Sequence, residues 1–458
     1  MSARWFVGAA LLAVATPLCA QDIAIINATV AVGDGSAPID GATVVVRDGK
    51  VAAVGRGGVG VPNGTETIDG TGKWVTPGIF AAMSDLGLVD AAGVSESNDT
   101  AADRSPFGAA LDVAPVLNPE AQDIAVSREG GVTRASVFSS PSGSIFGGQG
   151  AVVDLGADPT LVVRPRAFQV VTLGEQGARI AGGSRASAHA VLRNALREAR
   201  QYSADSRISG GGRAAPIDLG DDVPVDPRLV DNAAEREDVL LTRFDAAALV
   251  PVVAGAQPLY VIVERASDIR AVLALRQEFP RLKLVLVGAS EGWRVAGDIV
   301  AAGVPVIADP LDDLPASFEE LAATQSNVGR MVRAGVKVAL GRMTDTGGAQ
   351  PRNLAQFAGN LVSLTRVPGA TGLSWGEAFA SISSIPAEIS GYGGRMGVLA
   401  PGAAGDLVIW DGDPLEVSSA PERVFIDGVE QPQGSHQKRL RDRYRDLEES
   451  DLPKAYDW

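Results

Sequence analysis

Histidine is nearly absent: the 458 residues include two, His189 and His436. Strong zinc-type ligation takes neutral imidazole or thiolate, so a histidine-built transition-metal centre has almost no raw material here. Cysteine is scarcer, with Cys19 alone, which excludes an intrachain disulfide and any thiolate site beyond residue 20. Positive charge is in deficit. Forty Lys and Arg against 55 Asp and Glu leave a net charge of −15, the wrong sign for nucleic acid or anionic lipid, both of which demand a basic footprint. No run reaches the roughly 18 apolar residues of a membrane helix.

What is present is a chain that is 46% apolar, enough for a sizeable core in a large α/β domain with a smaller second one. Met1–Ala20 has the pattern of a secretory signal: Arg4, an apolar run from Trp5 to Val14, then Pro17 and small Ala20. Cys19 admits a lipidation reading, although Leu18 before it is a poor match for the small residue that pattern takes. A chain without cysteine after export suits a Gram-negative periplasm.

From Ile23 to Asp69 short strands alternate, and Asp48-Gly49 between two β-branched runs is a hairpin signal. A similar block returns at Gly397–Gln431, with its own turn at Asp427-Gly428. Between them a β-branched run of about six residues repeatedly precedes a helical stretch: PLYVIVE, LKLVLVG, VPVIADP and VKVALG lead four such units. Eight units fit between Pro77 and Gly393, so a closed (β/α)8 barrel is expected. Ser184–Tyr202 reads as a helix capped by Ser184, with Val191, Leu192, Ala195, Leu196 and Ala199 on its apolar face. Ala91–Asp103 reads as a loop, Ser206–Asp226 as a mobile surface excursion, and Arg439–Trp458 as a solvated helix or tail.

The stretch that organises the chain is Lys73–Leu88, KWVTPGIFAAMSDLGL. With the tail segment PGAAGDLVIWDGDPL it resembles the amidohydrolase superfamily, and SGSIFGGQGAVVDL resembles a Gly-Gln-Gly loop of the imidazolonepropionase-like branch. That loop is expected either over the pocket or as a buried turn. The resemblance implies an α/β fold: a (β/α)8 TIM-like barrel at 77–396 beside a composite β-sandwich from 21–76 and 397–435. The signal at 1–20 precedes this body and a charged tail at 436–458 follows it.

In that family a His-x-His on the first strand, a His each on the fifth and sixth, and an Asp after the eighth hold a metal that activates water. Carried over position by position, the first pair falls on Met83 and Asp85. The fifth-strand positions fall on Ile262 and Glu264, and the sixth on Gly288. The aspartate falls on Met343, with Asp345 two residues late. Glu175 is a weak match to a mid-barrel carboxylate, and Asp309 stands at the end of VPVIADP. His189 is read as an ordinary boundary residue.

Every implied imidazole is therefore replaced. The pocket candidates Met83, Asp85, Glu175, Glu264, Gly288, Asp309 and Asp345 leave an acidic mouth. Two readings of it stay open: capping of the loops that follow the strands, or an oxygen site for a hard divalent cation or acid–base work. Zinc is not expected. By resemblance the chain would hydrolyse a C–N bond of a cyclic or peptide-like amide. By residue inventory it reads as a degenerate member, non-catalytic or weakly active. Such a member would bind a small ligand, or assemble as a homo-oligomer or with a histidine-complete amidohydrolase. An active all-carboxylate hydrolase and a periplasmic small-peptide-binding protein are the alternatives.

Overall fold

A computed structural model describes residues 20–57, 59–91, 94–209, 240–341, 350–434 and 436–445. The Lys73–Leu88 stretch joins two sheets, as its sequence predicts. Strand β5 (Trp74–Pro77) belongs to the terminal sheet and β6 (Ile79–Ser84) opens the barrel. Gly78 is the hinge, because a Cβ there would lie 2.1 Å from the Thr133 hydroxyl.

The terminal sheet takes strands from both ends of the chain. Its order is β16 (Val429–Glu430), β15 (Pro421–Ile426), β14 (Leu407–Trp410), β5, β1 (Ile23–Val30), β2 (Ile39–Arg47) and β3 (Lys50–Gly55). β4 (Glu66–Asp69) pairs with β1. Antiparallel pairing of β14 with β5, from Leu407 with Pro77 to Trp410 with Trp74, makes the two terminal blocks one sheet. Ile23, Ile25, Val44, Val75, Leu407 and Phe425 share its apolar core. Both expected turns form with two positive φ angles, 49° and 73° at Asp48-Gly49 and the same at Asp427-Gly428, as a primed hairpin turn requires. The turns pack together, since a Cβ on Gly49 would lie 2.7 Å from the Asp427 carbonyl oxygen.

The barrel sheet runs β6, β7 (Val132–Val137), β8 (Phe146–Asp154), β9 (Val162–Thr172), β10 (Leu259–Val263), β11 (Leu284–Gly288), β12 (Val306–Ala308) and β13 (Val338–Leu340). Seven strands run the same way. β8 is antiparallel to both neighbours, so one unit departs from the β/α repeat. The Gly-Gln-Gly segment expected as a loop or turn is this strand. The ladder stops short of closing between β13 and β6. There residues 381 and 382 bridge the seam: Leu340 N–H donates to the Ser381 carbonyl and Phe80 N–H to the Ile382 carbonyl, both at 2.9 Å.

Phe80, Phe168, Val170, Tyr260, Ile262, Val287 and Ile307 fill the barrel. The Phe168 and Tyr260 rings stack at 4.3 Å, so the interior is a packed core. Helix α1 (Gln122–Glu129) leads into β7 through Gly130-Gly131. After β9 come α2 (Gly174–Ile180) and α3 (Arg185–Ser209). Ser184 Oγ accepts from Ala186 N–H at 3.2 Å and caps α3; Leu192, Ala195, Leu196 and Ala199 form its buried face. The expected excursion at 206–226 begins inside this helix, and its remainder from residue 210 lies outside the described residues, as do 1–19 and 446–458. A terminal helix spans His436–Tyr444.

Candidate functional site

A parallel barrel presents its strand-end loops on one face, and that face is where side chains for chemistry collect. Met83 stands in the last turn of β6, Asp85 just beyond it, Glu264 just beyond β10, Gly288 at the end of β11 and Asp309 just beyond β12. All four strand ends share the C-terminal end of the barrel.

Contacts tie only part of this set together. Glu264 is buried, and its Oε2 accepts both the Ser290 N–H at 3.0 Å and the Ser290 hydroxyl at 2.8 Å. The same hydroxyl lies 3.1 Å from Asp312 Oδ2. Gly288 adopts φ +90°, and a Cβ there would lie 2.1 Å from Glu264 Oε1 and 2.4 Å from Oε2. The carboxylate of Glu264 thus fills the space into which any side chain at position 288 would grow.

Glu175 reaches the same cluster through Glu319. Glu319 Oε2 accepts the Glu175 N–H at 2.8 Å and faces an Arg185 nitrogen at 3.3 Å. Arg185 also lies 3.0 Å from Asp268 Oδ2 and 3.6 Å from Glu175 Oε1. Burial pushes the Glu319 carboxyl above its ordinary pKa, and the Glu264 charge adds to that. Glu291, also buried, accepts the Ala266 N–H at 3.0 Å with one oxygen and the Ala322 N–H at 3.2 Å with the other. It caps the helix Ala266–Leu273 and anchors the long loop after β12.

The remaining candidates separate. Met83 packs into the barrel core. Asp85 meets Asp123 in the first turn of α1. Burial raises both carboxyls, Asp123 to about 6 with the Asp85 charge contributing. Asp309 accepts the Leu311 N–H at 3.2 Å, the loop-capping role. Asp345 lies outside the described residues. His189 is half-buried on α3, and that burial lowers its pKa.

Ser290, Asp312, Glu319 and Arg185 are functional candidates that sequence reading missed. Ser290 alone had a signal, since it follows the sixth-strand position in LVLVGASEGW. Glu319, from the loop after β12, and Arg185, at the start of α3, are joined only by the tertiary fold.

The residues present do not fit the zinc-type centre that the resemblance implies. Ile262 and Gly288 bring no donor, Met83 brings a thioether buried in the core, and the space beside Gly288 is taken. Among the described residues no three His, Cys, Asp or Glu side chains come together as a set that could hold a metal ion.

Comparison with known proteins places this geometry. The amidohydrolase family model matches residues 289–430. An amidohydrolase from Thermotoga maritima MSB8 superposes with a TM-score of 0.73 at 24% identity, over 89% of this chain and 99% of that one. The chain has the fold of the amidohydrolase superfamily. Phenylurea hydrolase B superposes on this amidohydrolase fold with a TM-score of 0.52 at 17% identity, over 90% of this chain and 97% of its own. Molinate hydrolase does so at 0.51 and 17%, over 91% and 95%. The amidohydrolase tasK of Hapsidospora irregularis is 45% identical over 60 residues, 13% of this chain and 6% of that protein. At those identities the solved structures speak for the fold.

Proposed function

We propose that this chain is an exported amidohydrolase-fold protein whose barrel mouth binds a small ligand without metal-hydroxide chemistry. It is a non-catalytic or weakly active member, working beside a histidine-complete homologue. Export rests on the composition of Met1–Ala20. The observation that carries the reading is the packing of Glu264 against Gly288: the carboxylate stands where the sixth-strand ligand of the family would project. Loss of a ligand alone leaves an empty position. Here the position is refilled and hydrogen-bonded through Ser290, as expected of a mouth selected for something else.

The test is metal analysis of the purified protein with a panel of cyclic and peptide-like amides, then light scattering alone and mixed with a histidine-complete homologue from the same organism. The expected result is no stoichiometric zinc, iron or nickel, negligible turnover, and a shift in mass on mixing. About one zinc per chain with metal-dependent turnover overturns it.

A second reading has one observation in its favour. Ser290 Oγ lies between Glu264 Oε2 and Asp312 Oδ2 and has one proton to donate. Two carboxylates facing one hydroxyl is a geometry suited to acid–base work. Hydrolysis lost in Glu264→Gln, with a bell-shaped pH profile in the wild type, would select this reading over the first.

A further inference from the structure

A cavity lies at the end of the same strands opposite the mouth. Gln257 precedes β10 by two residues, whereas Glu264 follows it, so the two stand at opposite ends of the barrel wall. The cavity, of about 430 Å³, is lined by Gln149, Gln257, Arg164, Arg166, Phe244 and Pro251, among others. That volume is within the range of small-molecule sites.

Two buried amides line it, Gln149 and Gln257, and a third, Gln169, lies beside Gln149 in the sheet. Gln149 on β8 pairs with Gln169 on β9, and the two are 6% and 0% exposed. Gln257 is 4% exposed; its Nε2 donates to the Arg166 carbonyl at 2.8 Å and lies 3.5 Å from Gln149 Oε1. Gln257 Oε1 is buried with no hydrogen-bond partner among the described residues, as are both side-chain atoms of Gln169. A buried amide without partners destabilises a fold, so the unpartnered atoms of Gln257 and Gln169 call for an explanation outside folding. Arg166 adds backbone strain, with φ +49° in a residue other than glycine. Such strain gathers at ligand clamps.

The charges fix the sign and size of the occupant's charge. Arg166 Nε is held by Asp112 Oδ2 at 2.7 Å. Arg164 is exposed, and no carboxylate pairs with it among the described residues. One guanidinium is thus left over, enough for a single carboxylate, which it can take with two parallel hydrogen bonds. The glutamine pair offers an acceptor at Gln257 and an amide at Gln149, the complement of a secondary amide. Phe244 and Pro251 supply apolar wall.

We propose that this cavity is a binding site for a small monocarboxylate carrying a peptide-type amide, of the N-acylated amino acid class. It is independent of the barrel mouth. The experiment is calorimetric titration of the full chain with three probes: N-acetylglycine, propionate and N-methylacetamide. N-acetylglycine is expected to bind at least about tenfold more tightly than either half-molecule. Arg164→Gln, at an exposed position, should weaken that binding about tenfold. Gln257→Met should do the same, with its thermal melt reporting that the chain still folds. If Gln257→Met does not fold, Arg164→Gln decides alone.

Glu264→Gln should bind N-acetylglycine as the wild type does. Binding lost in Glu264→Gln would place the molecule in the barrel mouth and overturn the proposal. No heat with N-acetylglycine at millimolar concentration would mean that water alone occupies the cavity, and would overturn it too. Propionate binding equally well refutes the amide half, and binding that survives both variants refutes the site.

Discussion

Arg134 on β7 is the test of what holds the barrel to the terminal sheet. Its side chain is 3% exposed, and it binds Asp406, itself 1% exposed, through Nε to Oδ2 at 2.7 Å and Nη2 to Oδ1 at 2.9 Å. A third contact reaches Asp427 in the β15–β16 turn at 2.7 Å, and Asp154 lies 3.6 Å away. Burial opposes the Arg134 charge, but the three carboxylates outweigh it and hold the guanidinium above its ordinary pKa. Asp406 Oδ1 also accepts the Asp427 N–H at 2.9 Å, so one buried pair fixes β7, the approach to β14 and the last hairpin.

Arg134→Ala would leave Asp406 buried with no counter-charge. Breaking such a pair costs about 3–5 kcal/mol, most of it the penalty for the stranded ion. Removing both charges in Arg134→Met/Asp406→Leu should recover part of that loss, because the stranded ion is gone while Asp154 and the Asp427 N–H still lack their partners. Urea unfolding by circular dichroism at pH 7 measures both, at low and at high salt. The loss should persist in high salt, since buried pairs are screened little. A cost under about 1 kcal/mol for Arg134→Ala, or a double variant as damaged as the single, would refute the argument.

Gly288→Ala should cost about 1–3 kcal/mol in urea unfolding, because it combines φ +90° with a Cβ 2.1 Å from Glu264 Oε1; an unchanged midpoint would show that Glu264 moves freely. Asp123 has a folded pKa of about 6, raised by burial, above the unfolded value of about 3.9. The folded state therefore holds the proton more tightly, and this group's contribution declines as pH rises from about 4 to 6. Asp123→Asn should flatten that decline and gain on the order of 2 kcal/mol relative to wild type at pH 8 against pH 4; equal slopes in the two proteins would reject the assignment. Ser374→Ala removes a capping box with Glu377 and should cost about 1 kcal/mol, read as a lowered melting temperature.

The parallel strands were legible because their faces are both covered. Runs such as LKLVLVG and PLYVIVE have no polar alternation, and residues 259–263 and 284–288 are buried throughout. β8 was hidden by the packing that makes it a strand. A Cβ at Gly150 would lie 2.2 Å from the Phe168 ring, and Gly148 sits at φ +85° against Leu111, so glycines stand where β-branched residues would have announced a strand. At the mouth, Glu264 and Gly288 lie together at adjacent strand ends, which follow from the strand runs. Asp85 shares that end, yet its charge neighbour is Asp123 of α1, a pairing that no spacing within one strand encodes. The unit led by VPVIADP was expected to run from strand into a helical stretch. After the strand it stays irregular to Asn327 and brings Glu319 to Arg185.

The link between Gly288 and Glu264 bears on whether this mouth can hold an imidazole ligand. A metal site can decay by losing one ligand at a time, and each lost imidazole then leaves a space that water fills. At position 288 the space is not left over. Glycine at φ +90° admits the Glu264 carboxylate, and that carboxylate takes the Ser290 N–H and hydroxyl as partners. The two residues depend on each other: any side chain at 288 strikes Glu264, and without Glu264 the Ser290 N–H is left buried and unpaired. A histidine introduced at 288 therefore meets a clash as well as a strained backbone. Building an imidazole ligand set here requires changing 264 and 288 together, along with Met83 and Ile262, which pack in the barrel core. The mouth is held in its present state by packing as well as by composition.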